Sequence, residues 1–328
     1  MGVYHLMGLG RSPGAATGPL SYLAHRYQRW NENDQRFFSR SGEVAHREAG
    51  KKTGDIQAIV LFSTTEVLEA QENGKPFLTS SYLENVAGKT IGKDQPGRAM
   101  KDVLRSLLQQ TWPAISGGRK SGDVFWCEID RRDIGNAYEC MVQVVAALAG
   151  VGGQGKEMWA NLTGGNNVIN FATELAATLS GAIARSYYVQ AQDPIAEKCV
   201  HFTTEDGYWV ELPVMPLTLG RLSHAVLDVL MSQGALGGTD LFNRLLNHSQ
   251  YWNLVYGVAY NTFKELYLTP MWKQGLITGE EKMYVIGPQW ELIRPYEEYW
   301  QATRQANVTI EQLAQRESWI EREEIIFE

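Results

Sequence analysis

The sequence predicts an α/β protein: a parallel sheet covered by helices, followed by a mostly helical module. Three observations lead there. Apolar segments of strand length recur across the first 190 residues, ending in glycine-rich turns and followed by stretches of helical period. Strand, turn, helix, strand is the grammar of a parallel, Rossmann-like sheet. After Asp193-Pro194 the composition changes to helices punctuated by Pro213 and Pro216. A chain of 328 residues also exceeds one average domain of roughly 100–150 residues, so two are expected. The predicted division is a Rossmann-like domain over 1–195, a hairpin and linker over 196–218, and a mostly helical domain over 219–328.

Element by element, the chain opens with a strand at Val3–Met7 that runs into Gly-Leu-Gly-Arg-Ser-Pro-Gly at Gly8–Gly14. Leu20, Leu23, Ala24 and Tyr27 then recur at helical spacing. Residues 31–54 are polar and read as irregular. Ile56–Phe62 is an uninterrupted apolar strand ending at Ser63-Thr64-Thr65. Helices are expected over 64–72 and 97–110, with a flexible loop at Ser116–Gly122. A strand at Val124–Ile129 precedes a helix over 135–149. Glu157–Leu162 is the next strand, ending in Thr163-Gly164-Gly165-Asn166-Asn167. A helix from Val168 to Leu179 and a strand from Ile183 to Val189 complete the first domain.

Residues 198–212 read as a hairpin turning at Glu205-Asp206-Gly207. Helices follow over 219–233, 239–248 and 260–274. A second hairpin is expected, Met283–Ile286 and Trp290–Ile293 about Gly287-Pro288. Three helices and a two-stranded wing make a winged-helix pattern. From Tyr296 onward the chain is charged and helical in period.

Composition narrows the function. The chain is 44% hydrophobic and 20% charged, which excludes disordered and collagen-like classes. Cys127, Cys140 and Cys199 form no C-x-x-C and suit a reducing, cytoplasmic setting. No apolar run reaches the about 18 residues of a membrane span, and MGVYHLMGLG lacks the basic stretch and small-residue cleavage site of a secretory signal, so neither is expected. Residues 1–200 carry 21 Lys and Arg against 20 Asp and Glu, and residues 201–328 carry 9 against 17. An acidic C-terminal module disfavours DNA as a partner, though a winged helix keeps it in view.

The chemistry concentrates in the two glycine loops. Each follows a strand and opens a helix, so each belongs to the carboxyl edge of the sheet, where backbone N–H groups and helix N-termini favour an anion. The first loop is not a dinucleotide fingerprint, because Pro13 stands where G-x-G-x-x-G needs glycine, and no Lys-Ser/Thr makes it a P-loop. Gly8, Gly10, Arg11, Ser12, Pro13 and Gly14 are the ligand-binding candidates of the first loop, and Thr163, Gly164, Gly165, Asn166 and Asn167 those of the second. Six scattered histidines show no H-x-x-x-H, so no metal site is expected, nor any cofactor. Arg40 and His46 have the spacing of a ribonuclease pair but lie in the polar stretch. Asp130, Arg131, Arg132 and Asp133 read as a solvated charge cluster at a strand end.

Gly8–Gly14, with Asn161-Leu162-Thr163-Gly164-Gly165, the small-residue helix Phe171-Ala172-Thr173-Glu174-Leu175-Ala176-Ala177 and the strand Arg185–Val189, resembles the CRISPR-associated Rossmann fold (CARF). The resemblance covers roughly residues 1–190. It implies a homodimer that binds cyclic oligoadenylate, cyclic tetra-adenylate above all, across its two-fold axis in type III CRISPR antiviral signalling. The family's second loop commonly reads Gly-Gly-Thr-Lys, whereas Asn166-Asn167 stand here. Arg11, Lys156 and Arg185 are candidates to replace the missing lysine. Members with a C-terminal winged helix include ring nucleases and transcriptional regulators. The ring-nuclease reading assigns catalysis to Ser12 and Arg11. Its alternatives are a messenger-gated regulator and an activated effector.

Overall fold

The computed structural model describes residues 2–38, 52–72, 75–76, 82–86, 89–93, 99–150, 155–189, 209–213, 219–280 and 283–327. The chain divides into two compact units, Met1–Pro216 with Thr303–Glu328, and Leu217–Ala302.

The first unit is built on a sheet of seven strands among the described residues. They are β1 (Val3–Gly8), β2 (Ile56–Ser63), β7 (Ser121–Glu128), β8 (Glu157–Asn161), β9 (Arg185–Val189), β10 (Trp209–Leu212) and β13 (Ile320–Ile326), in the order β10-β9-β8-β1-β2-β7-β13. The five central strands are parallel, and β10 and β13 close the two edges antiparallel. β1 and β2 are almost wholly buried, which is why they read as continuous apolar runs rather than alternating ones. Two short antiparallel ladders, β3 (Gln71–Glu72) with β4 (Lys75–Pro76) and β5 (Tyr82–Val86) with β6 (Lys89–Lys93), branch off after β2.

One face of the sheet is covered by α1 (Gly14–Arg29), α2 (Glu32–Phe38), α3 (Thr65–Leu68) and α4 (Met100–Thr111). Their apolar residues join Met7, Ile59, Trp126 and Trp159 in one core. The helices α5 (Ile134–Ala149) and α6 (Asn167–Ser180) pack on each other, and α6 meets the opposite face where Ile169 lies against Gly8.

The structure corrects several expectations in this unit. Residues 32–38, read as irregular, form α2, because the polar Asp34 is buried against Arg26 and Arg29 while Phe37 and Phe38 enter the core. Of the hairpin expected over 198–212 only 209–212 lies within the described residues, and there Trp209–Leu212 pairs with Ser186–Val189 of β9. The turn at Glu205–Gly207 and the pair Arg40 and His46 lie outside the described residues. The largest correction is at the C-terminus. Residues from Thr303 belong to this unit rather than to the second, and Ile320–Ile326 is a strand, not a helix. Glu321, Arg322 and Glu323 break the apolar period, yet they meet Lys101, Asp123 and Arg105 along the sheet edge.

The second unit is helical with one ladder. It comprises α7 (Arg221–Gln233), α8 (Gly238–Leu246), α9 (Trp252–Val255), α10 (Tyr260–Phe263), a π-turn over Lys264–Leu268 just before Pro270, and α11 (Thr269–Lys273). The ladder pairs β11 (Ile277–Glu280) with β12 (Met283–Ile286). Leu222, Val226 and Leu230 of α7 form the core stripe, with Leu241, Leu245, Phe263 and Trp290 packed on it. The expected arm Trp290–Ile293 is helical, part of α12 (Pro288–Gln305): Pro288 starts a helix instead of turning a hairpin. α13 (Ile310–Arg316) follows in the first unit, where it packs on α5 and β13.

Candidate functional site at the carboxyl edge

The chain builds β1, β2 and β7 in one direction across the sheet and then returns to place β8 and β9 on the other side of β1. The switch point therefore lies between β1 and β8, where open α/β sheets bind ligands. The two glycine loops leave from these two strands, so the fold brings them together.

Their approach is backbone to backbone. A Cβ on Gly8 would stand 2.7 Å from the Gly164 carbonyl oxygen, and one on Gly164 would stand 2.3 Å from the Gly8 carbonyl oxygen and 2.7 Å from the Ala15 Cβ. Gly165 has φ +84, a conformation that suits glycine. Asn161 locks the pair. Its side-chain oxygen accepts from the Thr163 N–H at 2.9 Å, and its amide donates to the Ala15 carbonyl at 3.1 Å. Asn161 carries no charge and ends a strand, so nothing in the sequence alone marks this role.

The first loop is held from the other side by β2. The Leu9 N–H donates to the Phe62 carbonyl at 2.8 Å, and the buried Ser63 hydroxyl donates to the Leu9 carbonyl at 2.7 Å. The loop then turns into α1, whose N-cap position is Pro13, with no side-chain cap. The Ser12 hydroxyl oxygen is buried at this turn without a hydrogen-bond partner among the described residues. Buried polar atoms are rarely left so, and one that is needs an explanation. Arg11 lies exposed beside it.

The second loop is more self-contained. The Asn166 side chain accepts from the Ile169 N–H at 3.0 Å and caps α6. The Thr163 hydroxyl accepts from the Val189 N–H at 2.8 Å. Both residues thus hold the loop's shape, and Asn167 follows as the first residue of α6.

Two of the three cations considered as replacements for lysine are placed elsewhere. Arg185 is buried, donates to both carboxylate oxygens of Glu211 and to the Phe37 carbonyl, and lies over the Trp159 ring at 4.4 Å. Lys156 precedes β8, at the opposite end of that strand from the loop, and lies over the Tyr4 ring. Arg11 is the one already in the loop.

His5, two residues into β1, is buried in the core. Burial and the nearby Arg185 push its pKa down to about 3, so it is neutral, with Nδ1 3.0 Å from the Tyr187 hydroxyl. Burial pushes the Cys140 thiol up to about 12, and Cys127 is likewise raised, so neither is a ready nucleophile. Among the described residues, no His, Cys, Asp and Glu cluster fit to hold a metal is found, and no helix is long and apolar enough to cross a membrane.

No protein-family profile matches the chain. A protein of Archaeoglobus fulgidus described as an uncharacterized protein is 24% identical over 264 residues, covering 76% of this chain and 79% of that protein. A stretch of that length is longer than Met1–Pro216, so the likeness reaches into the second unit.

Proposed function

We propose that the chain binds cyclic oligoadenylate, cyclic tetra-adenylate above all, at its two abutting loops, as a homodimer whose two-fold axis matches the symmetry of the ring. The observation that carries this reading is the contact of Gly8 with Gly164 at the switch point. It unites a loop whose buried Ser12 hydroxyl has no partner among the described residues with two helix N-termini in one anion-favouring surface. A symmetric ligand on an isologous interface would use the same pair of loops from each protomer.

The same site suits metal-independent ring opening. A ribose 2′-oxygen attacks the adjacent phosphorus as its proton departs. The P–O5′ bond breaks, the 5′-oxygen takes up a proton, and a 2′,3′-cyclic phosphate remains. Such a step asks the protein mainly for in-line placement and for donors to the developing charge. Ser12 and Arg11 are assigned those donor roles. Calorimetry with cyclic tri-, tetra- and hexa-adenylate tests binding, and chromatography of cyclic tetra-adenylate incubated with the protein in EDTA tests cleavage. Heat with one ring and its conversion to linear product are expected. No heat with any ring removes the reading, and binding without conversion leaves a sensor.

One observation favours the regulator as second reading. The acidity counted over residues 201–328 is not concentrated in the second unit: Leu217–Ala302 holds six Lys and Arg against eight Asp and Glu, and the rest flanks it. The charge argument against DNA therefore weakens for that unit, which we read as a winged helix with β11–β12 as its wing. A gel shift on the chain's own promoter at about 0.15 M salt, with and without cyclic tetra-adenylate, separates the two. Ligand-dependent nanomolar binding would put the regulator first.

A further inference from the structure

On the same carboxyl edge, beyond the first loop, the ends of β2 and β7 open onto a cavity of about 600 Å³. Thr65, Glu66, Glu128, Arg131, Arg132 and Trp319 are among its lining residues. It does not involve the glycine loops. Its walls are fixed by backbone pairing. The Ile129 N–H donates to the Ser63 carbonyl at 2.9 Å, and the Glu128 N–H donates to the Trp319 carbonyl at 2.7 Å. The Thr65 hydroxyl donates to the Glu128 carboxylate. Asp130 shapes the turn by accepting from the Arg132 N–H at 2.8 Å, while the Asn136 side chain accepts from the Asp130 N–H at 2.9 Å. The charge cluster Asp130–Asp133 is solvated, with Asp130, Arg132 and Asp133 exposed, and its backbone bonds make it an ordered rim on the ligand edge of the sheet.

The chemistry of the wall selects its ligand. Arg131 stands 3.5 Å from Glu66, and Arg132 is exposed at the mouth. Burial pushes the Glu66 carboxyl up, but the Thr64 hydroxyl and the two arginines outweigh it and keep it ionised. Three carboxylates against two guanidiniums do not suit a bare anion, and a purely cationic ligand would meet the arginines. A ligand with hydrogen-bond donors at one end and an anion at the other satisfies both. Trp319, half-buried on the wall, adds an aromatic surface. The volume falls within the about 300–1,000 Å³ of ligand pockets, more than a free amino acid fills.

We propose that this cavity binds a purine nucleoside monophosphate. The ring lies against Trp319, its exocyclic amino group donates to Glu128 or Glu66, and its phosphate meets Arg132 at the mouth. Base–aromatic stacking and carboxylate capture of a base amine are established devices of nucleotide recognition. Ser318 and Trp319 directly precede β13, so the site requires the C-terminal return of the chain to the first unit.

Calorimetry of the full chain with AMP and GMP, and with IMP as the purine lacking the amino group, tests the proposal. AMP or GMP should bind in the micromolar range, with IMP at least about tenfold weaker. Trp319→Leu should weaken the nucleotide about tenfold. Arg132→Glu, at an exposed position where folding is safe, should weaken AMP about tenfold and leave adenosine unchanged. The site is overturned if neither nucleotide binds at millimolar concentration, if IMP binds equally well, or if both variants bind like wild type. Cyclic tetra-adenylate serves as the independent arm. Nucleotide binding without ring binding would sink the proposed function and keep this site, and the reverse outcome would do the opposite.

Discussion

α1 and α6 leave the same edge of the sheet on opposite faces, and their starts are secured in opposite ways. α6 is closed at both ends by local devices. Asn166 caps its start, and Gly181, in the left-handed conformation, ends it with its N–H on the Ala177 carbonyl. α1 starts at Pro13 without a side-chain cap, while its last turn closes as that of α6 does, the N–H of left-handed Trp30 (φ 47) donating to the Arg26 carbonyl at 3.0 Å. Its security comes from beyond its C-terminus, where the buried Asp34 carboxylate accepts from Arg26 Nε at 2.8 Å and from Arg29 Nε at 2.7 Å. Trp30 stacks on Phe38 of the same following helix. A helix clamped from its far end can leave its start open, and that open start carries the Ser12 hydroxyl, which has no partner among the described residues.

The comparison breaks most directly at Asp34. Removing it takes the Asp34 bonds from two partly buried arginines, so Asp34→Ala should destabilise the first unit by about 3–5 kcal/mol, read as a fall in the denaturant midpoint. The pH dependence has a defined sign. Bonds from Arg29 and Arg26 hold the carboxyl pKa down to about 2 against its ordinary value, so the folded state binds this proton less readily than the unfolded chain. The stability it contributes is present above about pH 4 and is lost as pH falls toward about 2. Asp34→Asn should flatten that acid limb. A variant that keeps wild-type stability and the same acid limb would show that the clamp is not what holds α1.

How much of this was legible in the sequence depends on how each element meets water. β1, β2, β8, β9 and β7 from Val124 onward are mostly buried, so their side chains say strand, whereas Ser121 and Gly122, which read as loop, begin β7 as partners of Ile326 and Ile325. β13 is an edge strand whose Glu321, Arg322 and Glu323 are chosen by partners far away in sequence, and no local pattern reveals Arg105 or Lys101. α2 was hidden for the same reason, its buried acid being satisfied by Arg26 and Arg29 on the preceding helix. At the site, both glycine loops were legible as strand-to-helix turns. That two such loops can face each other across a switch point was legible as well; that Gly8 meets Gly164 backbone to backbone was not, since it follows from the strand order. The cavity at Glu128–Arg132 needed Trp319, which arrives from the far end of the chain.

Ser12 sharpens the comparison at the open end of α1. If its hydroxyl positions a phosphate, Ser12→Ala should slow ring opening about a hundredfold, the cost of a small misplacement of the attacking oxygen. Binding should fall by only about 0.5–1.5 kcal/mol, the net worth of one neutral hydrogen bond. Single-turnover chromatography beside calorimetry separates the two effects. Equal rates for variant and wild type would move catalysis away from this loop.

Gly164→Ala tests whether the two helix starts depend on each other. Its Cβ would press on the Gly8 carbonyl and on Ala15, neither of which can swing away. Overpacking of this kind costs about 1–3 kcal/mol, and here it should push the loops apart. Loss of stability together with loss of cyclic tetra-adenylate binding is expected. Intact binding would mean that the loops act separately.

The smallest effect should come from Asn166, at the closed start of α6. Asn166→Ala removes an N-cap worth about 1 kcal/mol and should lower thermal stability slightly. Asn166→Asp keeps the acceptor for the Ile169 N–H and adds a negative charge at a helix N-terminus, a gain of about 0.3–1 kcal/mol. The two variants therefore move stability in opposite directions. For an anionic ligand the order changes, because the aspartate's charge repels phosphate at the neighbouring start of α1 while the alanine adds none. The aspartate variant should be the more stable and the weaker binder, with its deficit shrinking as salt rises. Equal affinity for the two variants at low salt would mean that the anion does not sit between the two helix starts.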